Sequence, residues 1–212
     1  MRLRQFCIKV SALVVLLFAG ANAVNAQIYG KMNILYACVG IINPQVEFRL
    51  SEHSSLQTEL TVSPYKKVLG EHHFLFGIFT NEYRYFIGDK AKGLYVGADA
   101  GLYIFDMSKP EFGHGRISLQ NRYCKGYGIV LGAVIGWEYE FRERWLLDVY
   151  AGFGYFASWY NGYDFDGTLQ LHPHGHEWDP FNGSAEWLPT KVGVSIGYKL
   201  FDPQKRKKQT VL

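Results

Sequence analysis

The chain has 212 residues and 24.2 kDa, 48% of them hydrophobic and 19% charged, which is room for one ordinary domain and too apolar for disorder. Its 15 Tyr, 15 Phe, 5 Trp and 23 Gly favour pleated β structure. The formal charge of +3 first suggests a weakly basic protein, but the positive surplus lies at the two ends of the chain, which removes the main support for a nucleic-acid partner.

Arg2, Arg4 and Lys9 open the chain, and an apolar run from Val10 to Ala19 follows, broken only by Ser11. Ala21-Asn22-Ala23 and Val24-Asn25-Ala26 both fit the small-x-small cleavage pattern of a secretory signal peptide. The run is shorter than the ~20 apolar residues a spanning helix needs. Residues 1–26 are therefore expected to be removed, with cleavage after Ala26, or after Ala23 as the alternative. No Cys follows either site, which argues against a lipid-modified N-terminus. Losing three basic residues leaves 19 Lys and Arg against 19 Asp and Glu. The tail at 202–212 carries Lys205-Arg206-Lys207-Lys208, so the remainder is acidic. Only Cys38 and Cys124 remain, and two Cys make no disulfide framework.

No segment of 27–201 carries a sustained helical repeat; period-two alternation recurs instead. The weaker strands are read at Lys31–Val39, Gln45–Leu50, Ser54–Ser63 and His73–Ile87. A stronger one follows at Leu94–Ile104. The clearest is Tyr127–Tyr139, with Tyr127, Ile129, Leu131, Ala133, Ile135, Trp137 and Tyr139 on one face and Gly128, Val130, Gly132, Val134, Gly136 and Glu138 on the other. Trp145–Trp159 and Val192–Leu200 complete eight strands. The connections at 51–53, 88–93 and 141–144 are short and polar. Those at 63–72, 106–125 and 160–190 are long, whereas 40–44 is short.

Eight alternating strands with short turns on one side and long loops on the other predict an all-β, eight-stranded antiparallel up-and-down transmembrane β-barrel over 27–201. A lipocalin-like soluble barrel with an apolar interior is the alternative. The membrane reading rests on three features. Aromatic residues sit at the ends of the apolar faces, as interfacial girdles do. The best strands run about 10–13 residues, long enough to cross hydrocarbon when tilted. Gly and isolated charges form the other face. Glu47, Arg49, Glu59, Glu82, Arg84, Asp99, Glu138, Asp148 and Lys199 are the expected interior polar network. An eight-stranded barrel is just wide enough to be filled by side chains, so these charges must pair. An even strand count puts both termini on the periplasmic side.

The segment Lys191-Val192-Gly193-Val194-Ser195-Ile196-Gly197-Tyr198 resembles the C-terminal signal of outer-membrane barrels, which implies the barrel-insertion machinery as an assembly partner. The chain as a whole resembles a family of small gram-negative outer-membrane β-barrel proteins, of the OmpA/OmpX-like eight-stranded kind, classed as a domain of unknown function. Lys31-Met32-Asn33-Ile34-Leu35-Tyr36, Val46-Glu47-Phe48, Glu82-Tyr83-Arg84-Tyr85-Phe86, Gly126-Tyr127-Gly128 with Gly132, and Gly136-Trp137-Glu138-Tyr139 carry that resemblance. It implies an outer-membrane location and this fold, and no activity.

Few residues suggest chemistry. His172, His174 and His176, with Glu177 and Asp179 behind them, form the one candidate metal set, since imidazoles suit Zn, Cu or Ni; a solvated loop is the simpler reading. Asp164-Phe165-Asp166-Gly167 starts like a calcium loop but lacks the later ligands. A lipid A acyl-modifying site would need His72 or His73 paired with a serine such as Ser63 or Ser158, or with a carboxylate. No catalytic residue and no cofactor is therefore expected. The expected role is a non-enzymatic barrel, structural or binding an extracellular ligand through its long loops, surrounded by outer-membrane lipid. The alternatives are a lipid-modifying enzyme, a narrow channel and a soluble ligand-binding barrel.

Overall fold

The computed structural model describes residues 27–88, 91–108, 110–113, 116–119, 122–170 and 182–203. The expected signal peptide, the histidines at 172, 174 and 176 and the basic residues 205–208 lie outside the described residues. The strands are β1 (Gln27–Asn33), β2 (Pro44–Arg49), β3 (Ser54–Val68), β4 (His72–Phe86), β5 (Gly93–Met107), β6 (Pro110–Gly113), β7 (Arg116–Leu119), β8 (Arg122–Phe141), β9 (Trp145–Asp164), β10 (Leu169–Gln170) and β11 (Asn182–Phe201). One short helix, α1 (Ile34–Cys38), follows β1.

Eight of these strands close into a ring in the order β1, β2, β3, β4, β5, β8, β9, β11, and β11 returns to pair with β1. Every neighbouring pair is antiparallel. β6 and β7 form a separate hairpin between β5 and β8, and β10 extends the edge of β9. Followed around the ring, the register from Lys31 passes through Gln45, Glu59, Thr80, Gly101, Val130 and Phe156 to Glu186, whereas the partner of Lys31 on β11 is Gly197. That stagger means tilted strands, at the ~35–45° typical of closed barrels.

The outward face is apolar. Trp137, Phe153 and Ile196 are 47%, 54% and 37% exposed, and Leu60, Val96, Leu102, Ile129, Leu131 and Val192 join them around the wall. The inward face holds the buried polar groups. Tyrosines share that face by facing glycines across the ladder. Tyr95 lies opposite Gly136 and Tyr103 opposite Gly128. A Cβ on Gly136 would stand 2.4 Å from the Tyr95 ring, so the close approach requires glycine there.

Two strand expectations change. The first strand does not run over 31–39: it spans 27–33, and Asn33 then caps α1, its side-chain oxygen accepting from the Leu35 and Tyr36 amides. That local bond offers the backbone an alternative to the ladder. The long outer strands reach well beyond the alternating cores, to 20 residues in β8, β9 and β11. The expected loops at 63–72, 106–125 and 160–190 shrink accordingly. Cross-strand contacts keep the strand ends paired, among them a stack of Tyr123 on Tyr163 with ring centres 5.4 Å apart. The connection between β8 and β9 is also tight, with Arg142 and Glu143 both left-handed at φ 51° and 58°.

Candidate functional site

The interior is stratified. Near the α1 end it is a ladder of amides and hydroxyls set on Glu59: Asn43 donates to Glu59 at 2.8 Å and to Thr61, Gln45 donates to Asn43, and both Gln45 and Asn33 reach the Tyr150 hydroxyl at 3.0 Å. Below it lies a charged cluster. Lys31 donates to Glu47 at 2.5 Å, Asp148 at 2.8 Å and Glu138 at 3.1 Å. Arg84 bonds Glu82 at 2.7 Å, Asp148 at 2.8 Å and Glu138 at 2.9 Å, and stacks over the Tyr95 ring. Arg49 binds Glu138 and the Ala91 carbonyl. Lys191 stands between Glu59, Glu82 and Asp99 at 3.2, 2.9 and 3.0 Å, the Asp99 contact being an ion pair without hydrogen-bond alignment. All ten of these charged groups are buried.

Eight of the nine residues expected in the interior meet in this cluster: Glu47, Arg49, Glu59, Glu82, Arg84, Asp99, Glu138 and Asp148. Lys199 does not join them. It sits at the short-turn mouth, 2.7 Å from Glu140 and over the Tyr29 ring. Lys31 and Lys191 were missed, and they raise the cations facing these six carboxylates to four. Lys191 shares its parity with Gly193, Ser195 and Gly197, so one further step back along the alternation finds it; the register is regular from Lys191 onward and shifts only before it, between Pro189 and Lys191.

Apolar side chains pack to either side of the charged cluster. Tyr103, Phe105, Val130 and Cys124 form an apolar cluster toward the outer end, with Phe76, Ile78, Phe156 and Tyr160 packed on it. Phe86, Tyr95, Val134 and Tyr150 fill toward the short turns.

The candidate chemical residues separate. Ser63 gives its hydroxyl to the Phe74 carbonyl, and Ser158 is tied to the Tyr103 hydroxyl at 2.6 Å. His73 instead bonds Asp106 at 2.6 Å through Nδ1 and stacks on Tyr123 with ring centres 4.0 Å apart. His72 faces Phe165. The arrangement is a His–Asp pair on the outer wall, and neither named serine approaches it. The Asp164–Gly167 segment is a tight turn: Asp166 accepts from the Thr168 amide at 2.8 Å, which holds its carboxyl below the usual range. Among the described residues no group of three His, Cys, Asp or Glu is placed to hold a metal ion.

A family model described as "Protein of unknown function (DUF3575)" matches residues 12–200, nearly the whole chain. The chain belongs to that family. No curated protein and no solved structure matches it. In this DUF3575 member, Cys38 is exposed and Cys124 is buried. Its outer end also carries an ion pair between Lys67 and Glu71, which holds the Glu71 carboxyl below its ordinary range.

Proposed function

We propose that this chain is an outer-membrane β-barrel, exported by the signal at 1–26, with both termini in the periplasm and a non-enzymatic role in which the barrel carries surface-exposed connections. The inverted polarity supports this reading above all: a continuous apolar wall faces outward while ten charges are buried within. In water such a wall is a large aggregation-prone patch; in a bilayer it is the lipid contact. The aromatic rows agree with it. Trp137, Tyr139, Phe141, Trp145 and Tyr198 form a chain of ring contacts around the short-turn rim, and Tyr127 stacks on Trp159 at the other level. The ten residue steps from Tyr127 to Trp137, at ~3.4 Å each and a tilt of ~40°, rise roughly 26 Å, near the ~25 Å height of a barrel's lipid-facing band.

The barrel-insertion machinery is the expected assembly partner. An extracellular ligand would meet the connections at the outer end. Fractionation tests the location: the chain is expected with the outer membrane and resistant to carbonate wash. Recovery in the soluble periplasm would overturn the reading in favour of a soluble barrel. Lipid A acyl patterns in cells with and without the protein, read by mass spectrometry, are expected to be identical; a difference would make it an enzyme. Planar-bilayer recording is expected to show no steady conductance.

A further inference from the structure

The outer wall is not uniformly convex. Across β3, β4, β5 and β8 the register lays out rows of outward residues. One row reads Leu60, Phe79, Leu102, Ile129. The next reads Val62, Gly77, Ile104, Tyr127, and the next Pro64, Leu75, Asp106, Lys125. Gly77 puts no side chain between Val62 and Ile104, and the wall dips there into a cavity of about 670 Å³. Its walls are hydrocarbon from Leu60, Val62, Leu75, Phe79, Leu102 and Ile104, and its upper edge is Asp106 and Lys125.

The upper edge is charged in an ordered way. One Asp106 oxygen takes the His73 ring, and the other stands 3.4 Å from the half-exposed Lys125 ammonium. Lys125 also lies over the Tyr123 and Tyr163 rings, at 5.1 and 5.7 Å. The ammonium has three donors, and Asp106 engages it at long range, so it keeps capacity for a second anion. The dip shares its row with Tyr127, the outer aromatic level. An apolar slot at that height, with a positioned cation one step above it, matches an amphiphile whose chain lies in the wall and whose anionic group sits at the interface.

We propose that this groove is a lipid-binding site, taking one acyl chain of an anionic phospholipid over Gly77 and its phosphate at Lys125. The proposal rests on the outer-membrane reading above. A cavity of this volume lies within the ~300–1,000 Å³ of small-molecule sites. Its two ends are separable by mutation. A Cβ on Gly77 would meet Ile104 at an ordinary 3.6 Å, so Gly77→Leu fills the slot from its floor without backbone strain. Lys125→Gln removes the cation and leaves the slot.

The test uses the mature chain refolded in detergent, with dimyristoyl phosphatidylglycerol and, separately, dimyristoyl glycerol as probes, and native mass spectrometry as the readout. Wild type is expected to retain one phosphatidylglycerol and to hold it at least tenfold more tightly than the diacylglycerol. Gly77→Leu should lose both tenfold or more. Lys125→Gln should bind phosphatidylglycerol no better than diacylglycerol. Folding is checked by the gel shift of the unheated barrel and by its circular dichroism. A folded Gly77→Leu that retains phosphatidylglycerol like wild type overturns the groove. A Lys125→Gln that keeps the full preference overturns the headgroup assignment. A dimer abolished by Gly77→Leu would make the occupant a second copy and overturn the lipid. Failure of wild type to insert into liposomes at all would instead overturn the membrane reading, and the groove with it.

Discussion

Arg84→Met is the most informative perturbation of the interior. The Arg84 side chain is fully buried, and its guanidinium bonds Glu82, Glu138 and Asp148 at 2.7, 2.9 and 2.8 Å. Methionine retains much of the volume and removes the charge. Breaking a buried ion pair by deleting one partner costs about 3–5 kcal/mol, because the remaining charge stays buried. Here each of the three carboxylates keeps a second cation: Lys191 on Glu82, and Lys31 on Glu138 and Asp148. That places the expected loss near the lower figure, about 3 kcal/mol. The cluster then has six carboxylates facing three cations instead of four. Adding Asp148→Asn restores the original surplus, so the double variant should lose less than the sum of the singles, with a coupling of about 1 kcal/mol or more. The assay is reversible urea unfolding of the barrel in lipid vesicles, followed by tryptophan fluorescence. A loss under about 1 kcal/mol for Arg84→Met, or strict additivity in the cycle, would refute the account of a mutually dependent charge cluster.

Three further outcomes follow from the geometry. Gly136→Ala forces a methyl against the Tyr95 ring, whose hydroxyl is held by Asp148 at 2.9 Å, and should cost about 1–3 kcal/mol in the same unfolding assay. Glu143→Gly relieves a left-handed residue in the β8–β9 turn, worth roughly 1–2 kcal/mol, against roughly 0.5–1 kcal/mol of extra chain entropy; a net stabilisation of about 0–1.5 kcal/mol is expected in that assay. Lys67→Gln removes the ammonium that lowers Glu71, so the Glu71 carboxyl, followed by NMR titration, should move back up toward the ordinary glutamate range.

The alternation in Tyr127–Tyr139 made the wall legible, because a strand in a closed barrel shows its two environments in strict turn. The same parity placed Glu82 with Arg84 and Glu138 with Asp148 before any pairing was known. Lys31 and Lys191 escaped at the edges of the alternating segments. Asn33 ends β1 by capping α1, so Lys31, two positions earlier, looked like the opening of a strand rather than its interior end. Lys191 lies one step of unbroken parity before Gly193, beyond the start at Val192 that the apolar face suggested. The outer strand ends were hidden for another reason: Tyr123, Tyr163 and Asp106 read as loop residues, and only their cross-strand contacts show why they extend the sheet. The slot at Gly77 needed four strands in register, which no single segment displays.

The charged cluster and the apolar wall constrain the same variable. Lys31, Glu47, Arg84, Glu138 and Asp148 come from β1, β2, β4, β8 and β9, so one cluster ties five strands across the lumen. A slip of one residue in any strand would send its charges to the outer face and its apolar residues inward. In water that exchange is a modest loss on the outside; in lipid it is prohibitive, and the solvent then helps enforce the register. Leu131→Arg separates the two situations. Leu131 is half-exposed on the outer wall, midway between Tyr127 and Trp137, and paired with Ala100 and Tyr155. In vesicles the arginine should cost about 2–4 kcal/mol, the value for a cation facing lipid at the midplane of a barrel. The same substitution nearer the rim, at Tyr139, should cost about 0–1 kcal/mol. Equal and small losses at both positions would mean that water bathes the whole wall.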